Sequence, residues 1–231
     1  MNKYVDFVSD DDFLECVKWV CDGYSKANGF TDKDFHKNTI DPFKLVFDLG
    51  NNQIGLQTWI ETEKIRQRDK TINNRIGEFH QKLLGKVEGW QDLGVGDESK
   101  VDLKKKDNSI FIEIKNKYNT VNSDSLSKVR DKLQRALENN PDAICYWAFI
   151  ISQHGDSGES VWNYNGKSNP KLRKIWGKKV YELVTGDKNG LQKVWNALPL
   201  AISDLTNRRL ELASEEKKML SKFFVFAFEN L

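Results

Sequence analysis

The chain has 231 residues, 39% of them hydrophobic and 11% aromatic, with 36 Lys and Arg against 34 Asp and Glu. That length can bury a full hydrophobic core, and the aromatic content excludes a disordered tail or linker. The formal net charge of +2 hides an asymmetry: residues 100–135 hold ten basic and five acidic side chains, residues 167–179 hold six and none, and the first 48 residues hold ten acidic and six basic. Such a distribution suits one positive surface facing a polyanion, with an ordinary solvated face as the plainer alternative.

Cys16, Cys21 and Cys145 show no paired spacing, so neither a metal knuckle nor a disulfide framework is expected. The N-terminus lacks a basic start followed by an apolar run, and no stretch approaches a membrane span. The expectation is a soluble cytoplasmic protein with no membrane partner.

Ser9 followed by Asp12 reads as a capping box, and Phe13, Val17, Val20, Cys21 and Tyr24 recur at helical spacing, which predicts a first helix over 10–27. Asp41-Pro42 marks a second helix start, running toward Gly50. Helical pattern returns over 56–84, with a possible break near Lys70 and Thr71, and places Ile72, Ile76, Phe79 and Leu83 on one stripe with Glu78 on its shoulder. Glycines at 85, 89, 94 and 96 leave room for one short strand within 87–93.

Residues 101–117, VDLKKKDNSIFIEIKNK, read as two strands joined by Asp107-Asn108, a pair that tolerates the positive φ of a tight turn. With a two-residue loop Lys106 faces Ser109, and counting back places Asp102 opposite Glu113, with Cβ atoms about 5 Å apart. Alternation puts Lys115 on that same face and Val101, Leu103, Ile110, Ile112 and Ile114 on the other.

After a polar loop at 119–125, Leu126, Val129, Leu133, Ala136 and Leu137 form the inward stripe of a helix, whose other side carries Lys128, Arg130, Lys132 and Arg135. AICYWAFIIS is apolar enough for a strand covered on both faces. A loop from 153 to about 170 leads to the basic segment 171–179, and KVYELVTG reads as a further strand. Helical patterns at 187–198 and 214–228 complete the chain. The order predicts an α/β fold: a mixed central sheet flanked by helices, with a helical region over 1–70 added to a core over 71–231.

Two carboxylates and a lysine on one strand face suit Mg²⁺, a hard cation that takes oxygen ligands, with the Ile114 carbonyl as a further donor. The ion activates water toward a phosphodiester, and Lys115 can orient that water or offset charge on phosphorus. The competing reading is a merely charged hairpin in which Asp102 and Glu113 pair with Lys104 and Lys115.

The pattern Val101-Asp102 followed by Glu113-Ile114-Lys115 resembles the PD-(D/E)XK nuclease superfamily, with Val101 where the motif has proline. The segments SDDDFLECVKWVCDGYSKA, DPFKLVFD, KTINNRIGEFHQKLLGKVEGW and IEIKNKYNT further resemble the type II restriction endonucleases that cut GGNCC or GGWCC sites, the SinI and AvaII kind. That resemblance implies a restriction-endonuclease-like core and a Mg²⁺-dependent homodimer that cuts double-stranded DNA at a near-palindromic site, leaving 5′ overhangs. It also implies a methyltransferase that protects host DNA. By the same resemblance Asp102 and Glu113 are metal ligands, Lys115 is the catalytic lysine and Glu78 is an additional acidic residue, an exposed helical Glu beside Lys82 being the alternative. Asn116, Lys117, Asn119, Arg173 and Lys174 are candidates for DNA contacts, and Trp162 and Tyr164 read better as buried loop anchors. A repair or junction-resolving nuclease on the same core, or a DNA-binding module without catalysis, are the rival readings. His36, His80 and His154 have no metal spacing, and no phosphate loop of the Walker type is present.

Overall fold

A computed structural model describes residues 2–28, 31–94, 101–120 and 123–229. Gly96 and residues 121–122 of the expected loops lie outside the described residues. The chain divides into two compact units, Lys18–Glu78 and Met1–Val17 with Phe79–Leu231. Contacts far apart in sequence account for the grouping of the first residues: Asp6 pairs with Lys193 at 2.7 Å, and Lys3 and Tyr4 both hydrogen-bond Asp204.

The smaller unit is helical. It draws on α1 (Asp10–Asn28), α2 (Asp32–Phe35), α3 (Pro42–Asn52) and α4 (Leu56–Gly85). Helix α3 starts where Asp41-Pro42 predicts, because the Asp41 carboxylate accepts the Phe43 and Lys44 N–H groups. No break interrupts α4 at Thr71, whose hydroxyl donates to the Gln67 carbonyl within the helix. Helix α2 had no periodic signal to announce it; a capping box between Thr31 and Asp34 holds its single turn.

The larger unit is built on a six-stranded mixed sheet of β1 (Trp90–Asp92), β2 (Leu103–Lys105), β3 (Ile110–Lys117), β4 (Ile144–Ile151), β5 (Gly158–Val161) and β6 (Leu172–Trp176), in the order β1-β2-β3-β4-β6-β5. Strands β3, β4 and β6 run parallel, and antiparallel partners flank them on each side. Helix α5 (Ser123–Asn139) connects β3 to β4, and α6 (Lys178–Thr185), α7 (Gly190–Thr206) and α8 (Ser214–Phe228) follow. Among the described residues no helix is long and apolar enough to cross a membrane.

Three sequence expectations change here. KVYELVTG is not a strand but helix α6: Val180, Tyr181 and Val184 are buried at i, i+1 and i+4, a helical stripe whose β-branched and aromatic content imitates a strand. Within the expected loop at 153–170, β5 forms an edge strand; its mostly exposed side chains gave no alternation to read. Helix α7 continues through Pro199, which is exposed, because Ala197 and Ala201 are buried on the opposite stripe and packing offsets a proline cost of about 3 kcal/mol.

The hairpin register agrees with the count from the turn. Leu103 pairs with Ile112 and Lys104 with Phe111, and one further step sets Asp102 across from Glu113. The turn itself sits one residue earlier than expected: the Asn108 N–H donates to the Lys105 carbonyl at 2.9 Å, and of the Asp107-Asn108 pair only Asn108 has positive φ, at 58°.

Candidate active site

Strand β3 carries Phe111, Glu113 and Lys115 on one face, and α5 covers that face with Val129, Leu133, Ala136 and Leu137. The face expected to be polar is therefore also core, and Glu113 sits in it with a side chain only 1% exposed. Val101, expected on the opposite face, precedes β2 and joins the cluster of Phe111, Val129 and Leu133. Leu103, Ile112 and Ile114 are buried outside that cluster, as alternation requires.

Four charged groups meet at this point. Lys115 Nζ lies 2.8 Å from Glu113 Oε1 and 3.4 Å from Asp102 Oδ2, and the Ile114 N–H donates to the same Asp102 oxygen at 2.8 Å. From α5, Lys132 Nζ donates to Glu113 Oε1 at 2.9 Å. Among the described residues Glu113 Oε2 is buried and has no hydrogen-bond partner. Burial, and then the charge of Glu113, raise the Asp102 pKa above the usual carboxylate value. Burial pulls Lys115 down, but the Asp102 and Glu113 carboxylates outweigh it and hold its ammonium form.

Lys132 is the residue that sequence reasoning missed, having been read as part of the outer, basic side of α5. Its position three residues after Val129 and four before Ala136 places it on the shoulder of the buried stripe, which was the available signal.

The remaining candidates separate. Glu78 is exposed on α4, and the hydrogen-bond network of the cluster does not include it. Asn116 is half-buried, with its Oδ1 enclosed and without a partner among the described residues, whereas Lys117 and Asn119 are exposed. Arg173 and Lys174 are neighbours on β6 and so face opposite sides of the sheet. Trp147 pairs with Glu113 on one side and with Lys174 on the other, which puts Lys174 on the carboxylate face about 10 Å from Glu113, two strand spacings away. Lys174 Nζ lies 5.3 Å from the Trp147 ring centroid, and burial lowers its pKa. Arg173 is engaged with Glu159, which also accepts from the Tyr146 hydroxyl. Trp162 is buried against Trp147, the anchoring role expected of it, and Arg130 stacks over Trp162 while donating to its carbonyl.

Oxygen donors only, a lysine bonded to both carboxylates and a covered sheet face form an arrangement suited to chemistry on a phosphodiester. The model of the Eco47II restriction endonuclease family matches residues 5–207 of the chain. A Staphylococcus aureus relative, type II restriction enzyme Sau96I, is 37% identical over 216 residues, covering 88% of this chain and 81% of the relative. Type II restriction enzyme Eco47II of Escherichia coli is 34% identical over 238 residues, covering 97% and 98%. With a family match across most of its length and two such relatives, the chain belongs to the Eco47II restriction endonuclease family.

Proposed function

We propose that this restriction endonuclease hydrolyses both strands of double-stranded DNA at a short near-palindromic site, by Mg²⁺-dependent chemistry at Asp102, Glu113 and Lys115. The observation that carries the reading is the meeting of both carboxylates on Lys115 while the buried Glu113 Oε2 is left without a partner among the described residues. A buried carboxylate oxygen with no donor is costly, and a hard divalent cation is a fitting occupant for it.

Asp102, Glu113 and the Ile114 carbonyl would hold the ion, which supplies a more acidic bound water and charge neutralisation at phosphate. Lys115 stays protonated between the carboxylates and offsets charge on the phosphorus under attack. The Ile114 N–H keeps Asp102 turned toward Glu113. Glu78 is assigned an accessory role, so Glu78→Gln is expected to slow cleavage less than Asp102→Ala. Lys174, Lys117, Asn116 and Asn119 are assigned to the DNA contact, Arg173 being already committed to Glu159.

The sequence resemblance extends the proposal to a GGNCC-like site, 5′ overhangs, a homodimer whose two-fold axis matches that of the site, and a cytoplasmic methyltransferase protecting host DNA. Digestion of unmethylated DNA with Mg²⁺, followed by sequencing of the cut ends, tests the site, the overhangs and the metal dependence. Discrete fragments with one recurrent end sequence are expected; uniform degradation, or cutting confined to branched substrates, would overturn the reading.

A further inference from the structure

Glu113 Oε1 is shared by two ammonium groups, Lys115 at 2.8 Å and Lys132 at 2.9 Å, although one lysine is enough to neutralise one carboxylate. Asp102, Glu113, Lys115 and Lys132 together sum to zero formal charge. The cluster is thus balanced as it stands, and a divalent cation would carry it to about +2 in a place where little water can screen the excess. A phosphodiester brings one negative charge, and its pentacovalent transition state two. The four side chains with one divalent ion match the transition state, while the same site without Lys132 falls one charge short.

The two lysines are not equivalent. Lys115 stands on the strand and is bonded to both carboxylates, whereas Lys132, equally exposed, comes from α5 and reaches Glu113 alone. Of the pair, Lys132 has the freedom to turn from Glu113 to a phosphate oxygen, since its long unbranched stem allows its ammonium group to swing while α5 stays packed.

We propose that Lys132 is a second lysine of the reaction centre: it neutralises Glu113 in the metal-free protein and offsets charge on the scissile phosphate in the loaded one. The proposal rests on the assignment of Asp102 and Glu113 as metal ligands. It gives Lys132→Met two opposite effects that a purely structural ion pair would not produce. Loss of a competing cation tightens binding of a divalent ion, and loss of a charge at the phosphate slows the chemical step.

The test titrates Mn²⁺ into the wild type, Lys132→Met and Lys132→Arg, following the electron paramagnetic resonance of the free ion, and measures single-turnover cleavage of duplex DNA with each. Lys132→Met is expected to bind Mn²⁺ about tenfold more tightly and to cleave about 100-fold more slowly. Lys132→Arg, which keeps the charge, should recover most of both. A cleavage rate within threefold of wild type in Lys132→Met overturns the proposal. So does slower cleavage with unchanged or weaker Mn²⁺ binding, which assigns Lys132 to support of the fold. Circular dichroism melting of each variant excludes unfolding as the cause, and Glu113→Gln serves as the control: if it cleaves normally, the ligand assignment has failed rather than the role of Lys132.

Discussion

The backbone N–H of Ile114 donates to Asp102 Oδ2 at 2.8 Å, so the strand that carries Glu113 also holds the other carboxylate in position. Asp102 lies before the first residue of β2, and without that bond a side chain at a strand entrance would have several directions open to it. Asp102→Asn keeps the size and one acceptor oxygen but loses the charge. Cleavage is expected to fall by about 10³-fold or more, from the loss of several kcal/mol of metal-dependent stabilisation, with DNA binding in EDTA nearly unchanged. EDTA itself should abolish cutting in the wild type and Mg²⁺ should restore it, as read on a supercoiled plasmid.

Removing Glu113 has a second consequence. Glu113→Ala leaves Lys115 to Asp102 alone and Lys132 without its carboxylate. Both lysines are partly exposed, so the loss of stability is set at about 1–3 kcal/mol, below the range for a fully buried pair. Urea denaturation of Glu113→Ala and of the double variant Glu113→Ala/Lys132→Met would measure it, and the double variant should recover part of the loss.

The opposite facing of Arg173 and Lys174 separates two effects that adjacent cations usually confound. Among the described residues no carboxylate pairs with Lys174, which shares a face with Glu113; Arg173 is bound to Glu159. Lys174→Ala should weaken duplex binding and lower the slope of log affinity against log salt by about 1. Arg173→Ala should leave that slope unchanged and lower stability by about 1 kcal/mol, by freeing Glu159. Fluorescence anisotropy over a salt series distinguishes them.

His80 gives the fold a pH dependence. Its Nδ1 is 2.7 Å from the Tyr181 hydroxyl, and burial pushes its pKa down from 6.5 to about 4. Between those values the unfolded chain binds a proton that the folded protein refuses, so stability rises with pH across the window. The contribution is complete above about pH 6.5 and is lost as pH falls toward 4, with an upper bound of about 3 kcal/mol. Melting curves at pH 7 and pH 5 should converge in His80→Gln, whose side chain does not titrate.

Gly177 ends β6 and opens α6 with φ of 64°. A Cβ there would stand 2.8 Å from the Asp156 carbonyl oxygen and would meet the Ser157 hydroxyl, which accepts the Lys178 N–H. Gly177→Ala is expected to destabilise the protein by about 2–3 kcal/mol from left-handed backbone strain and this crowding. Chemical denaturation gives the value, and a loss below 0.5 kcal/mol would contradict the packing described.

The local rules of backbone chemistry made the central hairpin legible in advance. Side-chain alternation and the expected register were enough to set Asp102 across from Glu113 and Lys115 on the same face, although the turn itself lies one residue before Asp107-Asn108, because strand period and hairpin register are properties of neighbouring residues. Helix α8 and the start of α3 were readable for the same reason, from periodicity and from a side chain capping its own helix. Docking of elements was not. Nothing within residues 123–139 says that α5 lies over β3, and only that packing carries Lys132 to a carboxylate 19 positions earlier in the chain. Tertiary packing likewise made a helix of KVYELVTG, a strand of LRKIW, and opposite assignments of Arg173 and Lys174. Sequence by itself determined which groups share a strand face; the folded chain decided which cations reach them, since burial and pairing depend on neighbours that are close only in space.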